Sequence, residues 1–346
     1  MLCARPQDNA AMNNSPLFCS RIAIIGTLAL VVTLLSGCAP GEPPVNSQQI
    51  ANRGLFSAAL SEDGHYLVAG SLYHGGSFWR LDTNERLFNW NHEAGDFSPL
   101  TAVTATAHGN FAVTVVDDQL VLWDGNKGNS LTFFVAPATI QDAKLGPNGR
   151  YALLGLSDRT AVLFDAMRGG IQRTFAHDGR VLSVDMNADG TLAITGAEDQ
   201  QAILWDIASG EPRFRWPHNN EVRLVRMSPD GNRVISVSKY DRTAIWDTTS
   251  GEMIGQIPQS RWRIVRGEVF TSAAFSADGS LILTGTTARD VHLWQMPGPT
   301  LVKTWTLPRR EEMKRSAASV LAVGFTDTEG EYRAVSADGM IHRLKR

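Results

Sequence analysis

Apolar and polar positions alternate with a period of two along most of this 346-residue chain. Leu192-Ala193-Ile194-Thr195 and Ala202-Ile203-Leu204-Trp205 are typical runs, short and rich in β-branched and aromatic side chains, the pattern of strands that pack a pleated surface. No comparable helical period of 3.6 residues competes with them. Turn signals separate the runs at a regular interval: SEDG at 61, TAHG at 106, GPNG at 146, NADG at 187, SPDG at 228 and SADG at 276. Glycine supplies the positive φ of a tight reversal, and the Asp or Asn before it can bond the turn backbone. An apolar-aromatic close follows each glycine: RLD at 80, LWD at 122, LFD at 163, LWD at 204, IWD at 245 and LWQ at 293. Further glycines at 128, 169, 210 and 251 mark one more turn per unit, so each unit supplies four strands. A seventh, degenerate unit runs from Val320 through Phe325 to Leu344.

Self-similarity at a fixed period is the signature of a repeat architecture. The Leu-Trp-Asp and Ile-Trp-Asp closes and the AHDGRVLSVDMNADG segment at 176–190 resemble the WD repeat, and the resemblance covers nearly all of the chain after residue 47. It implies an all-β, seven-bladed β-propeller of four-stranded antiparallel blades. In that family a His, a Ser or Thr, an Asp and a Trp of one repeat tie three strands together by hydrogen bonds. The fourth unit offers His177, Thr195, Asp199 and Trp205 for this structural set; the fifth offers His218, Ser236 and Trp246, with Tyr240 where Asp is expected and Asp241 next to it. Phe164 in the third unit, Leu81 in the first and Leu344 in the last stand where Trp is expected. The chain stops three strands into the seventh unit, and an unpaired edge is an aggregation template. Ser47–Arg53 is therefore expected to supply the missing outer strand and close the ring.

The amino terminus has a different character. Ile22 to Leu35 is fourteen residues without a charge, preceded by Arg21 and followed by Ser36, Gly37 and Cys38. That is a secretory signal pattern, and it is too short for a permanent span of roughly 20 residues. Leu35-Ser36-Gly37-Cys38 resembles the bacterial lipobox, which implies cleavage before Cys38 and acylation of its thiol. The expected organisation is a signal peptide over 1–37 with a start at Met12 open as an alternative, a lipidated Cys38 with a short spacer over 38–47, and a propeller over 48–346. Two or more acyl chains make such an anchor stable. Ala39 after the cysteine implies the outer membrane in the enterobacterial sorting scheme, with the propeller facing the periplasm.

A net charge of −3 gives no whole-molecule field for nucleic acid, and no nucleic-acid partner is expected. All three cysteines, Cys3, Cys19 and Cys38, precede residue 39, so no disulfide forms within the body. Asp185, Asn187, Asp189 and Gly190 match the first half of a calcium loop, yet position twelve is Gly196, where a Glu is needed, so a plain turn is the better reading. The scattered histidines build no zinc pattern, and there is no nucleophile elbow or phosphate-cradling loop; no metal, cofactor or catalytic residue is expected. Adjacent acids such as Asp117-Asp118 and Glu311-Glu312 point to opposite faces of a strand and make poor acid/base pairs.

The closing positions 81, 123, 164, 205 and 246 are evenly spaced, and then the interval lengthens to 294 and 344. The added residues fall around 259–268 and 308–318, in the connection that leads into an inner strand, which in WD-repeat propellers lies on the face most used for partners. Arg261, Trp262, Arg263 and Arg266 lie in the first, and Arg309, Arg310, Lys314 and Arg315 in the second. Arg and Trp are enriched at interface hot spots, so these eight residues are candidate partner-binding positions; two solvated loops whose charge Glu268, Glu311 and Glu312 offset is the plainer alternative. The expected function is a non-catalytic membrane-anchored scaffold or adaptor, with other envelope proteins as partners and an anionic envelope component as a further candidate. The alternative is an enzyme or small-ligand-binding protein that uses the central channel.

Overall fold

The computed structural model describes residues 41–71, 74–92, 97–258, 268–310 and 318–346. The signal segment, Met12 and Cys38 lie outside the described residues, as do Arg261, Trp262, Arg263, Arg266, Lys314 and Arg315.

The strands form seven four-stranded antiparallel sheets. Sheet one runs from β2 (Leu55–Leu60) to β5 (Glu85–Trp90), sheet two from β6 (Ala102–Ala105) to β9 (Ser130–Val135), and sheet three from β10 (Ile140–Leu145) to β13 (Ile171–Ala176). Sheet four runs from β14 (Val181–Met186) to β17 (Pro212–Pro217), sheet five from β18 (Val222–Met227) to β21 (Met253–Ile257), and sheet six from β22 (Phe270–Phe275) through β24 (Asp290–Gln295) to β25 (Thr300–Thr306). Each innermost strand neighbours the innermost strand of the next sheet, and β26 (Val320–Phe325) of the seventh returns to β2 of the first, so the ring is closed. The expected seven-bladed propeller is the observed fold.

Hairpin glycines act as the sequence implies: Gly190 and Gly231 hold φ of 70° and 74°, in the left-handed region that a side chain disfavours. Buried side chains of the middle strands fill the space between neighbouring sheets, and paired indoles lock some of them. Trp90 of sheet one stacks on Trp123 of sheet two at 5.2 Å, and Trp216 of sheet four on Trp246 of sheet five at 4.9 Å. Fully burying a large apolar side chain contributes roughly 1.5–3 kcal/mol.

Sheet seven joins β26, β27 (Glu331–Ser336) and β28 (Met340–Lys345) to an outermost strand from the other end of the chain, β1 (Asn46–Gln49), with Ser47 opposite His342. The closing strand begins one residue earlier than expected and ends at Gln49. The segment expected as a spacer differs more. Gly41 N donates to Thr306 Oγ1, and Glu42 exchanges two backbone hydrogen bonds with Thr304 and Thr306, so the chain lies along β25 before it enters β1. A Cβ on Gly41 would sit 2.8 Å from the Thr306 nitrogen, so only glycine fits this approach.

Sheet one corrects an expectation about the aromatic close. Trp79, not Leu81, takes the Trp position: it stands opposite Leu67 as Trp205 stands opposite Ala193. Arg80-Leu81-Asp82 imitates the Leu-Trp-Asp close two residues late. With the register corrected, a third lengthened connection emerges between β5 and β6, over residues 91–101.

Candidate interaction surface and polar networks

The hydrogen-bonded set of sheet four is complete. Trp205 Nε1 donates to Thr195 Oγ1 at 2.8 Å, Thr195 Oγ1 lies 2.7 Å from His177 Nε2, and His177 Nδ1 lies 2.8 Å from Asp199 Oδ2. A carboxylate only accepts, so Nδ1 carries the proton, Nε2 accepts from the threonine hydroxyl, and every polar atom is used. Burial pushes the Asp199 carboxyl up, but the hydrogen bonds from His177 and from the amides of Asp178 and Gln201 outweigh it, and the net shift is downward.

In sheet five Trp246 Nε1 donates to Ser236 Oγ at 2.7 Å and Ser236 reaches His218 Nε2 at 3.0 Å, but the relay stops there. Tyr240 is exposed, and Asp241 accepts from Asn219 instead. His218 Nδ1 is buried without a hydrogen-bond partner among the described residues. Burial first, then the charge of Arg242, lowers the His218 pKa to about 4.

Sheet two holds a set that the sequence reading missed. His92 Nε2 lies 3.0 Å from Thr114 Oγ1, which accepts from Trp123 Nε1 at 2.8 Å. The lengthened 91–101 connection separates His92 from its inner strand and hides it from a fixed-spacing search. In sheet seven His342, fully buried, bridges Ser47 Oγ of β1 at 2.7 Å and Ser336 Oγ of β27 at 3.0 Å. Ser336 also bonds Asp338, so His342 Nε2 donates, Nδ1 accepts from Ser47, and the ring is neutral. Burial lowers its pKa to about 4.

The innermost strands of sheets three to five carry charges that no motif announced. Asp142 Oδ2 accepts from Ser183 Oγ and Val184 N at 3.0 Å each, and Arg226 Nη1 reaches Ser183 Oγ at 3.1 Å. Lys144 lies 3.2 Å from Glu62 and 3.4 Å from Asp185, whose carboxylate also accepts from Met227 N at 2.9 Å. These links cross from sheet to sheet and act as ties around the ring. Asn187 and Asp189 hold the turn through Thr191, as the hairpin reading of the calcium-like segment requires.

On the face of the long connections, Arg309 is exposed at the end of sheet six. Arg310 is engaged: its Nη1 donates to Ala51 O at 3.0 Å and Asn52 O at 2.8 Å, pinning the chain just after β1. Nearby, ligand atoms of Glu268, Asp290 and His292 lie within 4.8 Å of one another, a donor set chemically able to hold a divalent cation. Asp290 accepts from Thr306 Oγ1 at 2.7 Å, and His292 Nδ1 lies 3.0 Å from Thr304 Oγ1, so both already serve the packing of β24 against β25.

The opposite face has a polar cleft of about 290 Å³ at the seam of sheets seven and one. His65 bridges it, 2.5 Å from Asp82 and 3.2 Å from Asp327, and the Asp82 hydrogen bond is the main cause of its raised pKa.

Residues 169–206 match the family model of the WD domain, G-beta repeat. The stretch spans β13 to Asp206, so one repeat supplies the outer strand of sheet three and three strands of sheet four. That offset is why the last sheet must borrow a strand from the start of the chain. Compared with curated proteins, the chain matches none. The matched repeat and the ring of seven sheets together support a WD-repeat β-propeller, a fold that commonly mediates protein–protein interaction. No helix among the described residues is long and apolar enough to cross a membrane.

Proposed function

We propose that this chain is a lipid-anchored, non-catalytic WD-repeat scaffold of the cell envelope, acylated at Cys38 in the outer membrane and presenting its propeller to protein partners in the periplasm. The observation that carries the reading is where the long connections sit. The β5–β6, β21–β22 and β25–β26 connections are all longer than the equivalent links at 136–139, 177–180 and 218–221, and the strand ends they join lie on one face. Added length concentrated on one face of a rigid ring is how a scaffold gains recognition surface. Arg309 is exposed there, and Arg310 holds the root of its connection against the closing strand. Gly41, three residues after Cys38 in the sequence, docks at the end of β25 where the third long connection begins.

The channel reading is the weaker one. Asp142, Lys144, Asp185 and Arg226 are bonded to one another or to backbone, and a ligand would have to break those bonds to bind.

Crosslinking in intact envelopes followed by affinity capture tests the scaffold reading. The wild-type chain is expected to bring down a defined partner, Arg309→Glu to reduce its yield several-fold, and Cys38→Ala to move the protein from the membrane to the soluble fraction. Unchanged capture and unchanged fractionation would retire the proposal.

A further inference from the structure

Outer strands leave half of their backbone N–H and C=O groups pointing away from the sheet, and proteins normally guard such edges with charge, proline or a covering segment. Here β25 is covered by Gly41 and Glu42, and β28 by β1. Among the rest, β5 carries Glu85 and Arg86, β13 carries Arg173, β17 carries Arg213 and Arg215 between two prolines, and β21 is interrupted by Gly255. β9, Ser-Leu-Thr-Phe-Phe-Val, carries neither charge nor proline, and no described strand pairs with its outer edge. Its Thr132 and Phe134 face sheet three, where they meet Ala166 and Phe164. Leu131, Phe133 and Val135 alternate on the other side and are 43%, 51% and 57% exposed, an apolar stripe with the edge of His92 against Phe133.

We propose that β9 pairs antiparallel with β9 of a second copy of this chain, about a two-fold axis at Phe133. Charge at the two ends of the strand selects this occupant. Lys127 is exposed in the turn that precedes β9, and Asp117 and Asp118 lie at its other end, where Asp118 O accepts the Ala136 amide. Antiparallel two-fold pairing brings Lys127 of each copy to the Asp117-Asp118 end of the other, and it sets Leu131 opposite the partner's Val135 and Phe133 opposite the partner's Phe133. Parallel pairing would set Lys127 against the partner's Lys127. Each copy then offers the same strand, Leu131 meeting Val135 and Val135 meeting Leu131, as in an isologous interface, and cross-strand neighbours on one face of an antiparallel pair are in contact. The result is an eight-stranded sheet that places two propellers side by side.

Sedimentation velocity on the detergent-solubilised full chain tests this. Wild type is expected to sediment as a dimer at micromolar concentrations. Phe133→Lys and Val135→Lys are expected to sediment as monomers with unchanged circular dichroism. Met253→Lys, a 46% exposed position on β21, serves as the control and is expected to stay dimeric. Phe133→Cys should form a covalent dimer on oxidation that wild type does not, because directly opposed residues of an antiparallel pair lie about 4.5–5.5 Å apart at Cα, within disulfide range. A wild-type monomer at 100-fold higher concentration, a dimer indifferent to Phe133→Lys, or a monomer that instead takes up a foreign extended peptide at β9 would each overturn self-pairing.

Discussion

Lowering the pH from 7.5 to 4 is expected to loosen the ring at the sheet that closes it. His342 is fully buried between Ser47 and Ser336, and burial holds its folded pKa at about 4 against an ordinary value of 6.5. Between those values the unfolded chain binds a proton that the folded chain refuses. The contribution of His342 to stability is therefore complete above pH 6.5 and is lost progressively as the pH falls toward 4, below which it changes no further. At about 1.4 kcal/mol per pKa unit the loss is roughly 3 kcal/mol, a large part of a net stability of about 5–15 kcal/mol. His218, also lowered to about 4 by burial, adds a second loss in the same window. His65 opposes both weakly. Its pKa is raised by Asp82, so its contribution is present below pH 6.5 and fades as pH rises through the folded value. Urea unfolding followed by tryptophan fluorescence at a series of pH values reads the sum. His342→Gln retains a donor and an acceptor but does not titrate, so its stability should fall by roughly 3 kcal/mol less than wild type between pH 7 and 4. An identical fall in both proteins would refute a neutral, desolvated His342 at the closure.

Thr195→Val removes the hydroxyl shared by His177 and Trp205 and leaves two buried polar atoms unsatisfied; urea denaturation should show a loss of roughly 1–3 kcal/mol. The same substitution at Thr132, which bonds only the Ala166 carbonyl at the rim, should cost less. Gly41→Val cannot keep the close approach to β25, so limited proteolysis should cut near residues 41–45 faster than in wild type, while the melting temperature of the ring changes little.

The architecture was legible because its signals are local and recur. Each Asp-Gly or Asn-Gly turn and each aromatic close lies within a single hairpin, and a missing strand at one end of the chain implied a spare one at the other. Features that depend on how distant repeats meet were not legible. Asp142, Lys144, Asp185 and Arg226 look like ordinary strand residues until the ring brings their strands together. His92 was hidden by the length of its connection, and Trp79 by the Arg80-Leu81-Asp82 decoy that follows it. Glu268 and His292 gave no metal-like spacing, since the fold rather than the sequence brings them together. Arg310 is a candidate partner-binding position in the sequence, but the backbone carbonyls of Ala51 and Asn52, from the other end of the chain, occupy its guanidinium. The stripe of β9 was visible as alternation, yet alternation alone does not reveal which side the neighbouring sheet leaves open.

Closure of the ring by residues from the start of the chain is best tested by amide hydrogen exchange of the intact protein, read at Val45 and Ile50. Their N–H groups donate to Arg343 O and Gly339 O, each at 2.8 Å. If β1 completes sheet seven, both amides exchange as slowly as those in the middle of β28, and Ser47→Ala together with His342→Ala speeds all of them in step. Exchange at Val45 and Ile50 at the rate of unstructured peptide, with β28 protected regardless, would contradict a ring closed in this way.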